Sequence, residues 1–181
     1  VKDKKPETIW VENVRGIHAS EEEKIVDAIA RADAIGTAVG PNALPHILKS
    51  LALGLARRTT PVSIIMCENL RGMSKIAREG CLKFLPSGFD IDAVAGFVET
   101  SIGKMVPIMP AEIRARDPLE VWAEAYNKIV ADGEAFIGDP IEVPGLVKET
   151  CFDAHVDRKL FVHNLGHATT AYLGYLNGAR T

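Results

Sequence analysis

Lys159, Asn164 and His167 stand in an apolar-rich run, Arg158-Lys159-Leu160-Phe161-Val162-His163-Asn164-Leu165-Gly166-His167. On a helix they lie at about 0° (Lys159), 80° (His167) and 140° (Asn164), one sector of its surface. Oxidising a secondary alcohol needs a base for the hydroxyl proton and donors for the developing alkoxide. A partly buried lysine with a lowered pKa can be the base, and carboxamide groups can be the donors. Asn69, at the end of the apolar run Val62-Ser63-Ile64-Ile65-Met66-Cys67-Glu68, offers a second carboxamide. The same residues admit a plainer reading, with Lys159 and His163 solvated, Asn164 and His167 capping a kink, and Asn69 serving as a helix N-cap.

A metal site is the rival chemistry. His163 and His167 are four residues apart, as are Cys151 and His155, and a helix would bring each pair to one face. No H-E-x-x-H is present, no glutamate lies between the histidines to activate water, and no neighbouring carboxylate completes a recognisable ligand set. The expectation is therefore no metal. The alternative from another functional class is a non-catalytic helical module holding zinc through Cys151, His155, His163 and His167.

The elements that would position these groups follow from hydrophobic periodicity. Thr8-Ile9-Trp10-Val11 and Val14-Arg15-Gly16-Ile17 predict a hairpin or two short strands. Ser20 ahead of Glu21-Glu22-Glu23 predicts a capped helix running to about Asp33, followed by a strand over residues 34–39 and a turn at Gly40-Pro41-Asn42. Leu44, Ile47, Leu48, Leu51 and Leu55 predict a second helix, with Arg57-Arg58 where cations suit its dipole. A strand over 62–67, a helix carrying Met73, Ile76, Ala77 and Leu82, and a strand over 93–98 follow. Alternating helices and continuously apolar strands imply parallel βαβ units with helices on both faces of the sheet.

After Pro107 and Pro110 the character changes, and the domain boundary is placed there. Residues 1–109 read as the end of a parallel-sheet domain and residues 110–181 as the start of a mostly helical one. Asp117-Pro118-Leu119-Glu120 has the form of a helix start, with Trp122, Ala125, Tyr126, Ile129 and Val130 at helical spacing up to Gly133. A loop over 138–145 and a helix over 152–176, broken near Gly166, complete the expectation.

In an open parallel sheet, ligands bind beyond the carboxyl ends of the strands. Gly40-Pro41-Asn42 is such a place, because a glycine lets backbone approach a flat or phosphorylated ligand; the same tripeptide also suits a plain strand-to-helix turn.

Composition narrows the field. With 47% hydrophobic residues and a net charge of -3, the chain has the makeup of a globular protein, and its scattered lysines and arginines form no basic stripe, which argues against nucleic acid as a partner. No apolar run is long enough to span a bilayer, and VKDKKPET has no signal-peptide core, so a cytoplasmic location is expected. Cys67, Cys81 and Cys151 are odd in number and widely spaced, as befits buried apolar thiols rather than a disulfide framework. The start at Val1 and the stop at Thr181 directly after a helical run look like cuts at both ends.

These blocks resemble the polyol-specific long-chain dehydrogenase family. The resemblance is carried by Thr37-Ala38-Val39-Gly40-Pro41-Asn42, by Ile64 to Gly72, by Gly96-Phe97-Val98, by Asp117-Pro118-Leu119-Glu120-Val121, and above all by Arg158 to Ala168 followed by Thr170-Ala171-Tyr172-Leu173-Gly174. It implies a two-domain oxidoreductase with NAD on a Rossmann-type domain, against Ala38, Val39, Gly40, Pro41 and Asn69. It also implies that Lys159 is the general acid/base, that Asn69 and Asn164 bind the reacting oxygen, that His167 orients substrate hydroxyls, and that no metal takes part. The implied reaction is reversible oxidation of D-mannitol 1-phosphate to D-fructose 6-phosphate, with mannitol 2-dehydrogenase or hexuronate reductase activity as the sister alternatives. Two departures are visible. Where the family carries an acid followed by arginine before Ile-Val-Pro, this chain has Gly103-Lys104-Met105-Val106-Pro107. The family's glycine-rich fingerprint is expected upstream of Val1, and the rest of its helical domain beyond Thr181.

Overall fold

The computed structural model describes residues 11–68 and 70–179. Three βα steps open the chain. Helix α1 (Glu22–Arg31) leads to strand β1 (Ile35–Thr37), α2 (Leu44–Ala56) to β2 (Val62–Met66), and α3 (Met73–Leu82) to β3 (Ala95–Ser101). These strands pair in parallel, β1 to β2 through Ile35↔Ile64 and β2 to β3 through Ile64↔Phe97. The expected α/β fold with a Rossmann-type sheet is what the molecule has.

Alternation along β2 explains the packing. Val62, Ile64 and Met66 join Leu44, Leu48, Leu51 and Leu55 of α2 and Met73, Ala77 and Cys81 of α3 in one buried cluster. The opposite face is not covered as the sequence suggested. Ser63 donates its hydroxyl to the Ile137 carbonyl at 2.8 Å and accepts from the Ile137 amide at 3.0 Å, so a loop rather than a helix lies on it. Gly96, its partner in β3, leaves room for that loop: a Cβ there would stand 2.3 Å from the Ala135 carbonyl oxygen.

The first two elements shift slightly. Thr8, Ile9 and Trp10 of the expected hairpin lie outside the described residues, and residues 11–18 form no strand. Asn13 takes φ 63°, which interrupts an extended path, and Val11 and Val14 are exposed. Ser20 does not cap α1. It bonds to the His18 ring instead, at 2.8 Å, and Glu21 takes the cap position. Arg57, at the end of α2, reaches across to Glu23 and Asp27 of α1 at 2.6 and 2.9 Å.

Beyond Pro110 the sequence reading needs a larger correction. A short helix, α4 (Ala111–Arg116), comes first, and Asp117 then closes a local turn by accepting from the Leu119 amide at 2.9 Å. No helix propagates from it. The Glu124 amide pairs with the Met105 carbonyl at 3.2 Å, and Ile129–Asp132 is a strand, β4, antiparallel to β3. A further strand, β5 (Leu146–Glu149), pairs in parallel with β4. An isolated helix of that length is marginal, whereas β-branched Ile129 and Val130 gain a ladder on each side, so pairing wins over helical spacing. The sheet thus has five strands in the order β1-β2-β3-β4-β5 and continues past Pro110.

From Phe152 to Leu176 the chain is helical throughout, but in three parts: α5 (Phe152–Arg158), a π-helical turn (Lys159–Asn164), and α6 (Leu165–Leu176). The break expected near Gly166 falls earlier, and its form is a widened turn rather than a kink.

Candidate active site at the carboxyl edge of the sheet

The carboxyl ends of β1, β2 and β3 bring together Thr37, Met66 and Ser101, and the π-helical turn faces that edge. Lys159 sits where the two meet. It lines a cavity of about 470 Å³ together with Ser101, Tyr126, His155, Arg158 and His163. On its other side it borders a cleft of about 50 Å³ with Glu68, Glu99, Thr100 and Ser101. Burial in this corner holds the Lys159 amine below the ordinary lysine range, because charging it there forfeits hydration. That is the environment a lysine base requires.

The remaining expected residues are not all gathered with it. Asn69 lies outside the described residues. Asn164 and His167 are exposed and do not border either cavity. The π turn accounts for this, since its i→i+5 geometry widens the helix and voids the constant angular step on which the three-residue sector rested. His163 enters the larger cavity instead, with its ring centroid 4.4 Å from that of His167. Such π turns recur at functional sites, where they re-aim side chains.

Ala38, Val39, Gly40 and Pro41 leave the end of β1 as an open edge. Gly40 has φ 79°, and a Cβ built on it meets nothing within 4 Å. This exposed backbone with free space above it fits a flat or phosphorylated group at the sheet edge.

Glu68 is the site residue that sequence reasoning passed over. The residue is 6% exposed, and its carboxylate accepts from the Thr37 hydroxyl at 2.8 Å and from the Val39 amide at 3.2 Å. It therefore fixes the backbone of the Ala38 to Pro41 edge while its neighbours border the cleft beside Lys159. The available signal was an acid directly after a continuously apolar strand, where a buried charge has to find donors. Glu99 does the same for α3, accepting from the amides of Gly72 and Ser74 at 3.1 and 3.2 Å and from the Ser74 hydroxyl at 2.6 Å. The donors at the start of α3 thus go to Glu99. Across the cleft, Arg71 holds Asp157 of α5 at 2.9 Å.

The zinc alternative lacks its ligands: among the described residues no group of three or more His, Cys, Asp or Glu side chains is placed to hold a metal ion. Cys151 is exposed rather than buried, Cys67 is half-buried and Cys81 is fully buried, and all three are free thiols. Cys151 begins α5 at the surface, so the burial expected of all three thiols holds for Cys81 alone. Among the described residues, no helix is long and apolar enough to cross a membrane.

Comparison with known proteins gives the family and the fold. The profile of the mannitol dehydrogenase Rossmann domain matches residues 1–145. The mannitol-1-phosphate 5-dehydrogenase of Brevibacillus brevis is 35% identical over 98% of this chain and 46% of its own length. That of Shouchella clausii is 38% identical over 100% of this chain and 49% of its own. The chain spans about half the length of these curated relatives. A crystal structure of D-sorbitol dehydrogenase in substrate-free form superposes with a TM-score of 0.69 at 17% identity, covering 88% of this chain and 42% of that one, which is a likeness of fold.

Proposed function

Taking as premise that the chain belongs to the mannitol dehydrogenase family, we propose that the complete protein is an NAD-dependent oxidoreductase interconverting D-mannitol 1-phosphate and D-fructose 6-phosphate. The observation that carries this reading is the half-buried Lys159, set between two cavities at the carboxyl edge of a Rossmann-type sheet. In the proposed division, residues 1–109 serve the cofactor and residues 110–181 begin the substrate-binding part, with β4 and β5 of the second part extending the sheet of the first. The working compartment is the cytoplasm, where a sugar phosphate and a dinucleotide are both available.

The nicotinamide cofactor, when bound, supplies hydride acceptance from the alcohol carbon. Ala38, Val39, Gly40 and Pro41 hold it on the open edge of β1, with Glu68 keeping that edge in place through Thr37 and Val39. Lys159, as the free amine, takes the hydroxyl proton while the carbon–oxygen bond becomes a carbonyl; in reduction the ammonium returns the proton to the same oxygen. Asn69 and Asn164 donate to that oxygen, and His167 orients a neighbouring hydroxyl. Asn164 and His167 are exposed in this structure, so the reading assigns them to the substrate-bound arrangement.

The test is NADH oxidation by the full-length protein with fructose 6-phosphate, fructose and tagaturonate. Turnover of the phosphorylated ketose in preference to the other two is expected; none with it ends this reading, and preference for fructose or tagaturonate reassigns the substrate. Lys159→Ala is expected to lower kcat by about 10²–10⁴-fold with its melting temperature retained. The pH profile gives a second check. Polyol oxidation needs the free amine, so kcat/KM rises with pH through the Lys159 pKa, and that inflection falls below about 10.4, the value of an ordinary lysine.

A further inference from the structure

The walls of the larger cavity are more basic than proton transfer alone requires. Besides Lys159 they include Arg158, His155 and His163, with Ser101 and Tyr126 adding hydroxyls. Arg158 and His155 are organised together, Nη2 of the guanidinium lying 3.5 Å from Nδ1 of the imidazole. The other ring nitrogen of His155 stands 3.8 Å from a Glu149 carboxylate oxygen. Among the described residues, the one acid on the cavity wall, Glu124, already accepts from the Met105 amide at 3.1 Å. Gly103 adds no side chain there. The resulting lining has a guanidinium fork and two imidazoles next to the proposed proton-transfer amine, in a volume within the range of small-molecule sites.

We propose that this cavity is the substrate-phosphate subsite, in which Arg158, with His155 and His163, binds the phosphate monoester of a phosphorylated ketose or polyol while Lys159 faces its reacting end. A phosphate dianion presents several acceptor oxygens, and the planar fork of arginine grips two of them at once, with the imidazoles serving the others. A single carboxylate leaves part of that donor set unused. The inference rests on the dehydrogenase reading for the identity of the substrate, but the anion-binding step is tested without turnover.

In the full-length protein, titration with inorganic phosphate should move the ring resonances of His155 and His163 in nitrogen-correlated NMR spectra, and Arg158→Gln should abolish the shift. Absence of a shift in the unmodified protein overturns the subsite, whatever substrates are turned over. The second readout is the ratio of kcat/KM for fructose 6-phosphate over that for fructose. Arg158→Gln should reduce it at least tenfold, mainly through KM for the phosphorylated ketose, and Arg158→Lys should fall between. An unchanged ratio, with both substrates losing equally, overturns the proposal and leaves the dehydrogenase reading standing. Failure of fructose 6-phosphate turnover with the phosphate-induced shift intact removes the dehydrogenase reading and leaves the anion site. Arg158 is exposed, and melting curves confirm that each variant is folded.

Discussion

Leu48, Leu51 and Leu55 on α2 and Leu165, Leu173 and Leu176 on α6 are the same residue type on helices of similar length, yet the first three are buried and the last three exposed. On α2 the leucines meet β2 and α3, so each removes apolar surface from water. On α6 the same chemistry faces outward together with Tyr172 and Tyr175. Helical geometry thus came from local propensity in both places, while burial came only where a sheet stood opposite. An apolar patch of this kind marks a surface built to be covered.

The contrast can be broken by substitution. Leu55→Ala, at a position with 0% exposure, should lower stability by about 2–5 kcal/mol in urea unfolding, whereas Leu176→Ala, at 77% exposure, should change it by less than about 0.5 kcal/mol. Equal losses would mean that α6 packs as firmly as α2. Glu68→Ala orphans the Thr37 hydroxyl and the Val39 amide and should cost about 1–3 kcal/mol, with weaker dinucleotide binding by the full-length protein as the sign that the β1 edge has moved. Gly96→Ala drives a methyl toward the Ala135 carbonyl and should cost a similar 1–3 kcal/mol or so by overpacking. Gly166→Ala in α6 meets nothing within 4 Å and should instead stabilise by up to about 1 kcal/mol through helix propensity. The smallest perturbation is thiol labelling. Cys151, exposed, should react first and Cys67 more slowly, while Cys81, whose pKa burial pushes up to about 12, should react only on unfolding. Labelling of Cys81 at the rate of Cys151 would show that the α2–α3 core opens readily.

The alternating βα steps through residue 101 were legible because each strand there falls in a short apolar run and each helix shows one stripe, so local pattern and global packing agree. Lys159 was conspicuous for a related reason: it stands with Asn164 and His167 in an apolar-rich helical run. The segment around Asp117 misled because its cap and proline sit at the right offsets for a helix, while the decisive partners, Met105 and β3, lie more than ten residues away along the chain. Glu68 was hidden by its ordinary look as the end of a strand, and its donors come from β1, far upstream.

By itself the amino-acid sequence determined the fold class, the alternation that builds the sheet edge, and the helical run that carries Lys159, since each depends on periodicity or residue type within a short window. Tertiary structure alone decided which side chains stand beside that lysine. A single widened turn rotates His163 into the cavity and leaves Asn164 and His167 outside it. That turn and the sheet edge it faces lie far apart along the chain, so no local pattern encodes their meeting.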